Sequence, residues 1–264
     1  MNNINIGDFV YRKSYNKDIL FSVIGKIGDT YYLKGINIRI YADAKKEDLE
    51  YQRVSRDFLN LLDENNILIS RRLKTLKKLR NNNIEYKCGK ILHIDGDDRY
   101  ARKTLKYYRE NNLPCSVYSI EEKKQPRYIR ELLYKERPNI LIVTGHDSLA
   151  KNKDIRDINN YKNSKYFKES VIQARRVERN KNKLAIFAGA CQSYYEEIMN
   201  AGANFASSPG RIFIDFFDPL VVAHILSITD KNAIVSMSSF VDKLREGYKC
   251  INGIPTFGTA KIVR

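Results

Sequence analysis

Hydrophobic residues in the first fifty positions form short runs rich in β-branched and aromatic side chains. Turn signals such as Gly7-Asp8 and Gly28-Asp29 separate these runs. Short runs bounded by turn residues predict strands. The expected strands are residues 9–11, 19–24, 31–34 and 36–40. Residues 1–50 are therefore predicted to form a small SH3-like β-barrel that serves as an accessory domain.

The pattern changes after residue 50, where apolar residues recur at helical spacing among many charges from Phe58 to Leu79. This spacing predicts a helical connector over residues 51–85. Its basic run, from Arg71 to Arg80, is interpreted either as a solvated helix face or as a contact for an acidic partner.

From Lys90 onward, apolar runs typical of buried strands alternate with amphipathic segments typical of helices. Repeated βαβ units predict a mostly parallel sheet with helices on both faces. The strands are expected at residues 91–94, 115–120, 139–144 and 184–188. Residues 86–264 are therefore expected to form an α/β domain of caspase-like or flavodoxin-like architecture, with its site beyond the carboxyl ends of the strands.

Two of these strand ends carry residues with chemical potential. His146 follows the strand at 139–144, and Cys191 follows the strand at 184–188. Neighbouring parallel strands lie about 4.8 Å apart, so residues just beyond their ends can face one another. A thiol near a helix N-terminus and an imidazole is activated as a nucleophile. We therefore predict that Cys191 and His146 are catalytic, and that the backbone N–H groups of Asp147 and Cys191 form an oxyanion hole.

Carboxylates near the same sheet edge offer a second role. Asp95 and Asp97 follow the first strand of the α/β domain, and Asp215 follows a late apolar run. A buried carboxylate beside the scissile bond selects Arg or Lys through a charge-assisted pair, so these three residues are candidate substrate-binding groups. The alternatives for Asp95 and Asp97 are a plain turn in which Asp97 or Asp98 caps the following helix, which is favoured, and the nucleophile and metal-binding pair of a magnesium-dependent phosphatase. His93 and His224 lie within apolar segments and are expected to be core residues.

Composition narrows the function classes. No run of 18 apolar residues occurs, and the first residues lack a basic region followed by an apolar stretch, so no membrane span or secretory signal is expected. The four cysteines contain no C-x-x-C pair, which argues against a zinc site and a dense disulfide framework. Reduced thiols in a cytosol are expected, with no metal and no cofactor.

The charge favours one alternative to an enzyme. The chain carries 47 Lys and Arg against 31 Asp and Glu, a formal net charge of +16. Because a basic surface attracts phosphate without regard to sequence, a non-enzymatic protein that binds nucleic acid or another acidic partner is an alternative. Much of the Lys and Arg is scattered along the chain, which makes nucleic acid the less expected partner.

Several segments together resemble the YabG family of sporulation-specific cysteine proteases. They are residues 7–15, 33–35, 42–44, 92–97, 144–147, 163–167, 187–193 and 201–209. The resemblance implies a protease in the cytoplasm of the mother cell and in the spore coat, which trims coat and germination proteins after Arg. It matches Cys191 to the nucleophile and His146 to the general base. Asp147 stands where many caspase-type proteases have Gly directly after the His.

Overall fold

The computed structural model describes residues 3–36, 38, 40–55 and 86–262. Most of the predicted helical connector, residues 56–85, lies outside the described residues. Within the part that the structure describes, no helix is both long and apolar enough to cross a membrane.

The N-terminal part is a five-stranded antiparallel sheet with the order β4-β3-β2-β1-β5. Its strands are β1 (Phe9–Arg12), β2 (Phe21–Ile27), β3 (Thr30–Gly35), β4 (Tyr41–Lys45) and β5 (Leu49–Tyr51). A small β domain was expected here, and its SH3-like closure stays a prediction. Alternation of buried and exposed residues along β3 places one face of the sheet against the interior.

The prediction of a strand at residues 36–40 is wrong, because β4 begins only at Tyr41. The described residues of this segment form a turn, in which the Ile40 N–H donates to the Ile38 carbonyl (2.9 Å) and the Gly35 N–H donates to the Ile40 carbonyl (2.9 Å). Ile40 buries its side chain in the core, and Ile38 is half-buried against it. Burial therefore accounts for these two apolar residues without a continuous strand.

The α/β part contains a six-stranded sheet with the order β13-β11-β10-β9-β7-β8, in which all strands but β13 run parallel. The remaining strands are β6 (Tyr86–Lys87), β7 (Ile91–Asp95), β8 (Cys115–Ser119), β9 (Ile140–Thr144), β10 (Ala185–Ala188), β11 (Phe205–Ser207), β12 (Ile234–Val235), β13 (Ile251–Gly253), β14 (Thr256–Phe257) and β15 (Lys261–Ile262). Two further pairs, β12 with β14 and β6 with β15, form separate two-stranded ladders.

Helices cover both faces of this sheet, as the alternation of strand and helix predicted. They are α1 (Asp98–Glu110), α2 (Gln125–Glu136), α3 (Ser164–Val177), α4 (Tyr195–Asn200) and α5 (Asp218–Ile228). One apolar cluster joins α1, α5 and the N-terminal sheet to one face, and a second joins α2, α3 and α4 to the other. The first cluster is continuous between the N-terminal sheet and the α/β part. The division at residues 50 and 85 into separate domains therefore stays a prediction.

The order of the five parallel strands places a topological switch point between β7 and β9. The chain leaves β7 toward β8 on one side and returns to β9 on the other side of β7, so the direction of strand addition reverses between β7 and β9. The carboxyl ends of parallel strands at such a reversal leave room between the loops, which is where α/β sheets bind ligands. The loops after β7, β8 and β9 meet at this point.

Candidate active site

His146 and Cys191 lie in the loops that follow two neighbouring parallel strands. In the register of β9 and β10, Val143 pairs with Ala188, so each residue stands three positions beyond one member of this pair. The Gly189 N–H donates to the Val143 carbonyl (3.0 Å), which extends the strand pairing into the loops. The structure thus joins the two segments side by side.

The turn that carries Cys191 has an unusual backbone. Gly189 has φ +113°, a conformation that L side chains rarely adopt, and Gln192 has φ +56°. Cys191 is buried between these two residues, and its Sγ lies 3.4 Å from the backbone nitrogen and 3.6 Å from the carbonyl oxygen of Ile214. The segment around Ile214 therefore covers the thiol.

The Asp147 carboxylate connects three segments of the site. It is buried and accepts four hydrogen bonds, from Ser148 N (2.9 Å), Asn163 N (2.7 Å), Ser164 Oγ (2.5 Å) and Ser193 Oγ (2.8 Å). Ser193 Oγ in turn accepts from the Ala190 N–H (2.9 Å), next to Cys191. This carboxylate therefore ties the loop of His146 to the loop of Cys191 and to the start of α3.

Tyrosine rings and carboxylates surround the imidazole of His146, which is completely buried. The ring centroids of Tyr41 and Tyr100 lie 5.0 and 5.9 Å from that of His146. Nδ1 lies 3.8 Å from Glu122 Oε1, and Nε2 lies 3.8 Å from Asp97 Oδ2. Burial lowers the pKa of His146 from its ordinary value of 6.5, although the carboxylates oppose the shift. The ring is therefore neutral near pH 7.

The three predicted substrate-binding carboxylates have different surroundings. Asp95 is buried, and its carboxylate accepts from Thr144 Oγ1 (2.7 Å) and from the Asp97 N–H (2.9 Å). Asp97 accepts from the Arg99 N–H (2.9 Å) and pairs with Lys34 (2.9 Å). Asp215 is half-buried and accepts from the Phe217 N–H (2.9 Å), directly after the residue that contacts Cys191 Sγ.

The remaining histidines belong to the interior, as their apolar segments predicted. His93 is within 2.9 Å of the Tyr108 hydroxyl and 2.8 Å of the Thr144 hydroxyl, and His224 is 2.6 Å from the Tyr107 hydroxyl. Both are buried. Across residues 3–55 and 86–262, apart from the undescribed positions 37 and 39, no group of three or more His, Cys, Asp or Glu side chains is arranged to hold a metal ion.

A cleft of about 860 Å³ separates the edge strand β4 from the loop between β9 and α3. It reaches Gln192 and Phe213, which lie next to the segments of Cys191 and Ile214. Its lining carries the basic side chains Arg12, Lys151, Lys153 and Lys162 and the acidic side chains Asp43 and Asp48. The cleft therefore ends beside the residues that adjoin Cys191 and Ile214 in the chain.

Comparison with known proteins identifies the family. The chain matches the family described as YabG peptidase U57 over residues 5–263. It is also 36% identical over 279 residues to the sporulation-specific protease YabG of Bacillus subtilis (strain 168), an alignment that covers 97% of this chain and 96% of that relative. The chain belongs to the YabG peptidase family.

Membership in the YabG family confirms the resemblance seen in the sequence and makes the chain a peptidase, and so a hydrolase. It favours a protease over the two alternatives, a phosphatase and a non-enzymatic binding protein. The matched region includes both the N-terminal sheet and the α/β part.

Two features of the candidate site were not foreseen from the sequence. Asp147 was predicted for its backbone N–H, whereas its side chain proves to be the buried acceptor described above. Glu122, in the loop after β8, contacts the backbone of His146 through a 2.7 Å hydrogen bond. The sequence carried no signal for Glu122, since its contact with Gly96 and Gly145, where a Cβ would overlap its carboxylate, arises only in the folded chain.

Asp147 gives a testable dependence of stability on pH. Burial raises its pKa from 3.8 to about 6, although its hydrogen-bond donors oppose the shift. Between about pH 4 and pH 6 the folded chain keeps a proton that the unfolded chain releases, so this group stabilises the fold less as the pH rises. Relative to Asp147→Asn, the free energy of unfolding of the unmodified chain should fall by about 2–4 kcal/mol across this range and then level off.

Urea unfolding at pH 4, 5, 6 and 7 checks this difference, with both chains carrying Cys191→Ala to prevent self-cleavage. Asp147→Ala serves as a second variant, because it leaves two backbone N–H groups and two hydroxyls without their acceptor and should cost roughly 2–4 kcal/mol at any of these pH values. Parallel stability profiles for the unmodified chain and Asp147→Asn would contradict the assignment.

Proposed function

We propose that the chain is a cysteine endopeptidase in which Cys191 is the nucleophile and His146 the general base. The observation that carries the proposal is the junction of the two loops beyond β9 and β10, which the Asp147–Ser193 hydrogen bond holds together. Thiol catalysis requires a nucleophile and a base that come within hydrogen-bond reach of each other, and neighbouring strand ends can bring two such residues together.

The reaction proceeds in two stages. As the Cys191 sulfur attacks the peptide carbonyl, His146 accepts the thiol proton and then donates it to the amine that leaves when the C–N bond breaks. Water then attacks the thioester, His146 accepts its proton, and the thiol is restored as the carboxylate product departs. The backbone N–H groups of Asp147 and Cys191 are proposed to stabilise the oxyanion formed in each stage.

Substrate must gain access to a closed site, because Cys191 and His146 are both buried. The segment around Ile214 covers the sulfur, and Tyr41 of β4 covers the imidazole. We propose that the substrate enters along the cleft beside Gln192 and displaces the Ile214 segment. The four basic side chains of the cleft, against two acidic ones, favour substrates with acidic residues near the cleaved bond.

Cleavage after Arg is proposed to depend on the carboxylates predicted from the sequence, Asp95, Asp97 and Asp215. Asp215 is the strongest candidate, since Asp95 is enclosed by internal hydrogen bonds and Asp97 already pairs with Lys34. Asp215 is half-buried and follows the residue that contacts the sulfur. A guanidinium bound there would form a charge-assisted pair close to the reacting carbonyl.

The family supports a proposal for the biological setting. The relative from Bacillus subtilis is named a sporulation-specific protease. We propose that this chain likewise acts during sporulation, in the mother cell and at the spore coat, on coat and germination proteins. In this proposal the N-terminal sheet is an SH3-like accessory module that docks the substrate, and the α/β part is caspase-like.

Removal of the nucleophile tests the proposal directly. Cys191→Ala should reduce cleavage of an Arg-containing peptide by roughly 1,000-fold or more, because no other group replaces the thiol. Cys115→Ala, a half-buried cysteine at the start of β8, is the matched control and should retain full activity. Activity of the Cys191 variant comparable to that of the control would refute the mechanism.

Specificity is tested by comparing peptides with Arg or Gln at the cleaved position. Loss of a charge-assisted pair costs about 1.5–3 kcal/mol, so Asp215→Asn should lower the preference for Arg, as a ratio of kcat/KM values, by about 10-fold or more. The exposed Asp242→Asn should leave the ratio unchanged. If Asp95→Asn, Asp97→Asn and Asp215→Asn all preserved the preference, the proposed pocket would be wrong.

The pH dependence of kcat/KM tests His146 as the base. The imidazole must be neutral to accept the thiol proton, and burial lowers its pKa. Activity should therefore persist as the pH falls through 6.5 and decline only at lower pH. Measurement of kcat/KM between pH 4.5 and 8 checks this, and a half-maximal value at or above pH 6.5 would argue against His146.

A further inference from the structure

The ring nitrogens of His146 lack the hydrogen bonds that a buried imidazole normally makes. Among the described residues, neither Nδ1 nor Nε2 has a hydrogen-bond partner, although both atoms are buried. Buried polar atoms without partners are rare and call for an explanation. The two nearest carboxylates, Glu122 and Asp97, each stand 3.8 Å away. Hydrogen bonds of catalytic groups are often long in unliganded proteins and shorten when substrate binds.

Glu122 is held in place to face this ring. Its Oε1 accepts a hydrogen bond from the backbone N–H of His146 at 2.7 Å. This bond holds the carboxylate beside the residue whose imidazole it faces. Glu122 is also buried. Gly96 and Gly145, which follow β7 and β9, leave the space that the carboxylate occupies, since a Cβ on either would overlap it. Three strand ends therefore contribute to the placement of one carboxylate.

Asp97 is the weaker candidate for a partner of the imidazole. Its carboxylate pairs with Lys34 at 2.9 Å and caps α1 by accepting the Arg99 N–H at 2.9 Å. Lys34 of the N-terminal sheet therefore neutralises much of the charge of the Asp97 carboxylate. No cationic side chain in the part of the chain that the structure describes forms an ion pair with Glu122 other than His146 itself.

We propose that Glu122 is the positioning residue of the peptidase, which accepts a hydrogen bond from Nδ1 of His146 and leaves Nε2 to exchange a proton with Cys191. The inference rests on the proposed function. Its physical effect is twofold: the carboxylate fixes the tautomer and orientation of the ring, and it stabilises the imidazolium that forms when the thiol proton is transferred. Together with Cys191 and His146, Glu122 completes a three-residue arrangement.

Several charged and titratable groups face His146 and enter any argument about pH. They are Glu122 from the loop after β8, Asp97 and Tyr100 from α1 and its cap, Lys34 and Tyr41 from the N-terminal sheet, and Lys162, whose Nζ lies over the Tyr41 ring. Lys34 lowers the pKa of His146, whereas Glu122 and Asp97 raise it. Removal of the Glu122 charge should therefore lower the pKa of His146 further.

The test compares Glu122→Gln with Glu121→Gln, its exposed neighbour in the chain. Gln at position 122 still offers an oxygen to the His146 N–H, so a purely structural role predicts nearly normal activity. We expect instead that kcat falls at least about 10-fold with KM within about twofold, because the carboxylate acts on the transition state and not on substrate binding. We also expect the acid limb of kcat/KM to move to lower pH.

A second readout does not depend on activity. The chain has three histidines, so a spectrum of the protein labelled with ¹³C-histidine is simple, and His146→Ala identifies the signal. The pKa of His146 read from this signal should fall in Glu122→Gln and stay unchanged in Glu121→Gln. Unchanged kcat and an unchanged His146 titration in Glu122→Gln would overturn the inference. If Asp97→Asn moved both quantities instead, Asp97 would be the positioning residue and the inference would also fail.

Gly145→Ala provides a double-mutant check, since its Cβ acts on the Glu122 carboxylate. It should reduce kcat in the unmodified chain and have little further effect when combined with Glu122→Ala. Full additivity would contradict the proposed role of the glycine.

The outcome for Cys191→Ala distinguishes failure of the proposed function from failure of this inference. An active Cys191 variant refutes the peptidase mechanism. An inactive Cys191 variant beside a fully active Glu122→Gln refutes only the role of Glu122.

Discussion

The candidate site depends on one buried carboxylate. Asp147 accepts hydrogen bonds from its own loop, from the start of α3 and from the loop that carries Cys191. These bonds add to the strand pairing of β9 and β10, which ends near Gly189, and to the hydrogen bond from the Leu149 N–H to the Gln192 side chain (3.3 Å). A buried carboxylate is costly unless donors satisfy it, and here four donors do so, which makes this particular arrangement of the loops the favoured one.

Around the Asp147 carboxylate, the site is assembled from residues of the N-terminal sheet and of the α/β part. The α/β sheet supplies His146, Cys191 and Glu122 from the loops that follow three of its strands. In the N-terminal sheet, Tyr41 covers the imidazole and Lys34 forms an ion pair with Asp97. The backbone of Ile36 accepts hydrogen bonds from Arg99 (2.8 Å) and Tyr100 (2.9 Å) of α1, which fixes the N-terminal sheet against the same edge. A change in the placement of that sheet would therefore reach the environment of His146.

The fold could be predicted from the sequence where burial acts along a continuous segment. The strands that became β7, β8, β9 and β10 are buried apolar runs bounded by turn residues, and their order of alternation with helices fixes the parallel sheet. The same reasoning placed His146 and Cys191 at strand ends. It was wrong for residues 36–40, because a bend can bury an apolar side chain such as that of Ile40 without forming a strand, and local pattern does not reveal which backbone partners are available.

What the sequence could not predict are the contacts that tertiary structure alone creates. Asp147 meets Asn163 and Ser193 across 16 and 46 positions of the chain, and Glu122 meets His146 across 24. No periodicity encodes such pairings. Gly96 and Gly145 were visible as turn residues, but their role as space for a carboxylate emerges only when the loops after β7, β8 and β9 are brought together.

The central claim is that Cys191 forms the covalent intermediate. An arginine-containing halomethyl ketone reacts with a nucleophilic thiol when its side chain occupies the specificity pocket, so mass spectrometry of the labelled chain reports the reacting residue. The account predicts a single adduct on Cys191, absent in His146→Ala, with the equally buried Cys250 unmodified. An adduct on Cys88, Cys115 or Cys250 with Cys191 unmodified, together with loss of peptidase activity, would contradict it.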